Sequence, residues 1–90
     1  MNASEARELA AINKMNALEE IAKTSKFKNN INRINLKIKT FCELGDFNTF
    51  FNVTDENPLM IEALVYYFKQ RDYNIEEVSE ELKKYLHIKW

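Results

Sequence analysis

Between Glu20 and Glu43 the chain carries six cations and no acid: Lys23, Lys26, Lys28, Arg33, Lys37 and Lys39. A run of this kind can grip the phosphates of a nucleic acid or of a nucleotide ligand. Phe27 and the asparagines at 29, 30, 32 and 35 add stacking and hydrogen-bonding capacity to the same window. The plainer role is a solvated helix face, or a patch that meets the acidic surface of a neighbouring copy. Seven of the thirteen cations remain for the rest of the chain, against all fourteen acids. That polarity bears on partners and association rather than on fold. The overall acidity, with a pI near 5.8, argues against general DNA coating.

Two aromatic pairs, Phe50-Phe51 and Tyr66-Tyr67, form the second candidate feature. On a strand, neighbours point to opposite faces, so one of Phe50 and Phe51 can escape the core. On a helix, Tyr66 and Tyr67 are separated by about 100°. Aromatics concentrate at binding hot spots. The candidate partner interface is therefore Phe51, Tyr66, Tyr67 and Trp90, with core or core-rim packing as the competing role.

Catalytic chemistry finds little support. The only histidine, His87, and the only cysteine, Cys42, are 45 positions apart, with no ligand-spaced cluster around either. His87 reads as a surface or edge-strand residue and Cys42 as a small core residue. A Cys42–His87 nucleophile pair would need a fold that joins them and an oxyanion site that nothing else suggests. A single glycine, Gly45, leaves no Gly-rich phosphate cradle. Glu76, Glu77, Glu80 and Glu81 are dense enough to suggest paired carboxylates, but they read better as a solvated face. The expectation is a non-enzyme without cofactor or metal.

The elements that must position these residues belong to a chain of 90 amino acids, enough for one domain. Apolar residues make up 46% and charged residues 30%, a composition suited to folding. One cysteine allows no internal disulfide and fits a reducing compartment. The first residues lack the pattern of a signal peptide, and no apolar run reaches membrane-spanning length. A cytoplasmic protein without a membrane segment is expected. Asn2-Ala3-Ser4 and Asn52-Val53-Thr54 match the glycosylation triplet, but eleven asparagines make chance matches unsurprising.

Ala3 to about Lys23 reads as a helix, with Asn2 as cap and Glu5 three residues later. Its stripe, Ala11, Met15, Leu18 and Ala22 flanked by Ile12 and Ile21, suits close packing on another helix, within the chain or from a second copy. Thr24 to Asn30 reads as a connection. Ile31, Ile34, Ile38 and Phe41 then follow a helical spacing, capped by Asn29 or Asn30 and stopped at Gly45, although Ile34 to Cys42 also alternates as a strand would. Phe47 to Val53 reads as a strand. Asn57-Pro58 starts a helix that should reach about Arg71, with Ile61, Leu64, Val65 and Phe68 inward. Residues 75–86 have two readings. Asn74-Ile75-Glu76-Glu77 resembles a capping box before a helical Ile75, Val78, Leu82, Leu86 spacing. Alternatively Tyr73–Glu77 and Tyr85–Trp90 form a hairpin, which would give the strand at Phe47 its partner.

Gly45, Phe47 to Val53, Pro58 to Phe68, Tyr73-Asn74-Ile75 and Leu86-His87-Ile88-Lys89-Trp90 together resemble a pattern found in small accessory proteins of tailed bacteriophages. The pattern is a helix ending near a glycine, a strand, a helix, then an aromatic-led strand and a closing strand. It spans residues 31–90, and Arg71-Asp72-Tyr73 stands where Gly-Tyr is often found. The resemblance implies a small α+β domain with a three-stranded antiparallel sheet, a viral origin and a host-cell protein as target, and it brings no catalytic motif.

The fold class expected is α+β in a single domain, 1–90. Residues 1–23 form an N-terminal helix able to oligomerise. Residues 30–90 form a core in which a second helix, a short three-stranded antiparallel sheet and a helix packed on it come together. The competing architecture is mostly α, with 75–86 helical. The expected function is non-enzymatic occupation of a macromolecular partner, a protein, by a homo-oligomer. The alternatives are an oligomer that sequesters a nucleotide through residues 23–39 and a nucleic-acid-binding accessory protein.

Overall fold

Six capped or hydrogen-bonded elements account for most of residues 1–90, which the computed structural model describes throughout: α1 (Ala3–Ala22), α2 (Ser25–Glu43), β1 (Asn48–Asn52), α3 (Pro58–Lys69), β2 (Asn74–Glu80) and β3 (Lys83–Lys89). The architecture is α+β. The strand order is β1-β3-β2 with both pairings antiparallel. α3 carries the chain from one edge strand to the other, and the last strand inserts between them, a split βαβ arrangement.

Each helix start has a local cause. The Asn2 side chain accepts from the Glu5 N–H at 2.9 Å, Thr24 from Phe27 at 3.2 Å, and Asn57 from Met60 at 2.8 Å. These side chains satisfy amides that have no partner inside the helix. Pro58 follows Asn57 at the first helical position, where its missing N–H costs nothing.

The second helix begins earlier than its sequence suggests. Asn29 and Asn30 do not cap it; Thr24 does, and residues 25–30 are helical rather than a connection. Two anchors draw this segment in. Phe27 is buried in the core, and buried Asn30 donates from Nδ2 to Oε1 of Glu56 at 3.3 Å. At the other end, the amides of Gly45 and Asp46 bond back to the carbonyls of Cys42 and Phe41. That double bond is the Schellman stop, and it places Gly45 at φ +84°. The strand reading of Ile34 to Cys42 gives way to the helix.

Residues 75–86 are not helical. They form most of the β2–β3 hairpin, whose register pairs Glu80 with Lys83 across the loop Glu81-Leu82. The local helix signals lose to burial: Ile75, Leu86 and Ile88 face inward, and β3 supplies the backbone partner that β1 needs. Both strands reach closer to the turn than the sequence suggests.

The core gathers Phe27, Ile31, Ile34 and Ile38 from α2, Met60, Ile61, Leu64 and Phe68 from α3, and Phe51, Ile75, Leu86 and Ile88 from the sheet. Helices α2 and α3 thus cover one face of the sheet, and the other face is open. α1 has no buried residue and lies against the core only through partly buried Leu18 and Ile21. No helix is long and apolar enough to cross a membrane.

Candidate binding surfaces

The four aromatics named from sequence do not converge. Phe51 points into the core at 5% exposure, so the outward member of its pair is Phe50, at 44%. The pleat decides this: Thr49 and Phe51 share the inner face, Asn48, Phe50 and Asn52 the outer one. Tyr66 is outward at 43% exposure. Tyr67 is half-buried, edge-on to Phe27 and Phe68, with the Arg71 guanidinium 3.4 Å above its ring. Trp90 closes the sheet against Tyr73, ring centroids 6.5 Å apart. Only Tyr66 and Tyr67 share a surface feature, a depression completed by Met15, Leu18 and Ala22 of α1 and Ala63 of α3.

From that depression an apolar stripe runs out along α1 through Met15, Ile12 and Leu9, which are 40%, 59% and 48% exposed. Each three-residue step turns back by about 60° around the helix. The stripe therefore winds from the core side, marked by Leu18, to the far side at Leu9. Glu5, Glu8 and Glu19 fall in the same sector, and none of them makes an ion pair. Lys14 lies on the opposite flank and reaches Glu62 of α3 at 2.9 Å. The result is an acidic, apolar helix face with no partner inside the chain. In the sequence, Met15 reads as part of a stripe that packs on another helix, within the chain or from a second copy, and Ile12 as its flank. Because α1 lies on the body near its C-terminal end, the outer part of the stripe is left bare.

The basic window lies along α2, but most of its charge is already engaged. Lys23 pairs with Glu20 at 3.2 Å, and Lys26 stands 3.2 Å from Oε2 of Glu56, a charge contact outside hydrogen-bond alignment. Arg33 lies over the Phe51 ring at 5.4 Å. Lys37 donates from Nζ to the Phe50 carbonyl. Lys28 and Lys39 have no such partner and lie eleven positions apart, about 20° from alignment on the solvent side of α2. The window is thus two surfaces: a solvated outer face, and an inner flank where Arg33 and Lys37 lean over the free edge of β1.

The open sheet face is a small grid. Its rows are Asn48–Lys89–Asn74, Phe50–His87–Glu76 and Asn52–Tyr85–Val78. His87 stands on the central strand, not on an edge. Its ring stacks on Phe50, Nε2 meets Asn48 Oδ1 at 3.2 Å, and Nδ1 is 3.7 Å from Glu76. Cys42 is exposed on α2 and is not among the contacts of His87. No three His, Cys, Asp or Glu side chains gather as metal ligands. Phe50 and His87 were findable from sequence only by pairing Phe47–Val53 with Tyr85–Trp90 in register. The chain matches no protein-family model, no curated protein and no solved structure.

Proposed function

We propose that the protein is a non-enzymatic binding module that acts by occupying another protein through the α1–α3 face. One observation carries the reading. A twenty-residue helix has no buried residue while Leu9, Ile12 and Met15 stay exposed along it and lead to Tyr66. Most helices in proteins are held by burying an apolar face, and contiguous apolar surface on a monomer marks an interaction site. The carboxylates of Glu5, Glu8 and Glu19 beside the stripe favour a partner whose apolar ridge is flanked by basic residues. A second copy fits less well. An antiparallel pair centred on Ile12 sets Leu9 against Met15 of the other copy, but it also sets Glu5 against Glu19. The phage-type pattern over residues 31–90 supports a host protein as the target.

Native mass spectrometry of protein purified gently from its natural background tests this reading. The expected species is heavier than a multiple of 10.7 kDa. It should be lost on Ile12→Glu and on Tyr66→Ala, with the circular dichroism of both variants unchanged. A clean multiple of the chain mass would favour the second copy instead. A heteromeric complex that survives both substitutions would sink the proposed surface.

A further inference from the structure

The sheet has two free edges, and the chain treats them differently. The Val53 amide bonds to the Lys84 carbonyl, which sets the phase of the β1–β3 ladder. Thr49 and Phe51 turn their main-chain groups toward β3, and Phe50 turns its own outward. There the Lys37 ammonium takes the Phe50 carbonyl, and a lysine over an edge is a common guard against further pairing. The same phase runs on through β3. Glu76, Val78 and Glu80 share ladder bonds with His87, Tyr85 and Lys83, so Ile75, Glu77 and Ser79 turn their amides and carbonyls to the outer edge of β2.

That edge has no guard. β3 is the only strand beside β2, no loop returns to bond these groups, and no proline or bulge interrupts the strand. Ile75 is buried, while Glu77 and Ser79 are exposed. Beside the edge lies a hollow of about 440 Å³, lined by Ile75 and Glu77 of β2, Ile61, Val65 and Tyr66 of α3 and Leu18 of α1. A strand added here continues the pleat, so alternate side chains turn into that hollow.

Charge selects the occupant. β2 carries Glu76, Glu77 and Glu80 and no cation. Glu76 stands 3.4 Å from Lys89 and Glu77 4.0 Å from Lys84, while Glu80 makes no ion pair. An antiparallel second copy of β2 sets Glu77 on Glu77, Glu76 on Glu76, or Glu76 on Glu80 in its fullest registers, and like charges directly opposite are destabilising. The edge thus repels its own copy and suits a cationic strand.

We propose that β2 accepts an extended segment of another protein as a fourth strand, with lysine or arginine beside Glu76 and Glu80 on the open face and apolar side chains turned into the hollow between β2 and α3. Main-chain bonds to Glu77 and Ser79 hold the segment, and the hollow selects its side chains. Leu18 and Tyr66 also line the α1–α3 depression, so the edge adjoins that face, but the added strand does not depend on the bare stripe of α1.

NMR titration of the intact chain tests the proposal, with extended peptides of about nine residues that alternate Lys or Arg with Val, Ile or Leu, the length of an ordinary strand. At least one peptide should bind saturably and slow hydrogen exchange at the Glu77 and Ser79 amides by about tenfold or more. Methylating the peptide nitrogens that face β2 should abolish binding, and methylating the alternate ones should not. Ser79→Pro removes an amide that no ladder bond uses, a change that edge strands tolerate, and should weaken binding by about tenfold or more. Glu80→Lys should weaken it by about threefold or more. Lys28→Glu, on the solvent side of α2, should leave it unchanged. No binding by any peptide, or binding that leaves the Glu77 and Ser79 amides exchanging freely or tolerates methylation at every nitrogen, would overturn the proposal. So would equal binding of peptides with Glu in place of Lys and Arg, or protection of the same amides by self-association, in favour of a second copy.

Discussion

The His87 imidazole lies flat against the Phe50 ring, centroids 4.1 Å apart and planes 7° from parallel. Thr49–Ile88 and Phe51–Leu86 flank this pair, and the Val53 amide bonds to the Lys84 carbonyl in the same phase. Phe50 and His87 therefore form a non-hydrogen-bonded pair, the register position where cross-strand side chains come closest. Each ring shields the other on a face that no helix covers. A cross-strand aromatic pair of this kind contributes about 0.5–1.5 kcal/mol. Phe50→Ala and His87→Ala should each lower stability by that order. A double-mutant cycle in urea should show a coupling of about 0.5 kcal/mol or more. Additive losses would mean that the stack holds nothing.

Asn30 is the buried polar hinge between α2 and the loop before α3. Its Nδ2 donates to Glu56 Oε1, while Lys26 meets the other carboxylate oxygen from an exposed position. The two contacts should differ in weight. Asn30→Ala strips a buried donor from a largely covered carboxylate, and chemical denaturation should show a loss of about 1–3 kcal/mol. Lys26→Ala removes one half-solvated ion and should cost under about 1 kcal/mol. Equal losses would show that the Lys26 charge, not the Asn30 amide, fixes this end of α2.

The same residue shows what the sequence hides. Helix periodicity from Ile31 to Phe41 is legible because it repeats over three turns. The first turns of α2 carry only Phe27 as an apolar signal, and Asn30 is inward because of Glu56, a partner 26 positions away. Polar spacing alone cannot announce that. At 75–86 the helical capping pattern is genuine local chemistry, overridden when Ile75, Leu86 and Ile88 are buried together. The strand at Phe47–Val53 and the Asn57-Pro58 start were local and could be read directly. Choosing Phe50 over Phe51 as the outward ring needed the strand's orientation, which only the core on α2 and α3 defines. The bond from Lys37 to the Phe50 carbonyl is beyond sequence altogether, since it joins two elements by packing.

Two non-glycine residues hold left-handed backbone, Asp72 at φ 69° and Glu81 at φ 56°. Asp72 sits where the Asp72 and Tyr73 amides bond back to Lys69 and Phe68, the Schellman position that usually holds glycine. Glu81 is the first residue of a two-residue hairpin loop, where primed turns need positive φ. Left-handed backbone costs a side-chain-bearing residue roughly 1 kcal/mol, partly offset by the greater freedom glycine has when unfolded. Asp72→Gly and Glu81→Gly should each raise stability by about 0.5–1 kcal/mol. Gly45→Ala, at φ +84° with open space around the added methyl, should lower it by about 1 kcal/mol. A destabilised Glu81→Gly would show that the Glu81 side chain gives more to the turn than its backbone loses.

Thr49 places an unpaired polar atom on the core side of β1. Its hydroxyl is buried without a partner, and burying such a group costs about 1–3 kcal/mol on mutational scales. Valine has nearly the same shape and brings no polar atom, and like threonine it suits a strand. Thr49→Val should therefore stabilise the free protein by about 1 kcal/mol, seen as a higher midpoint in urea with an unchanged slope. If Thr49→Val instead destabilises the free protein, the hydroxyl already has an internal partner.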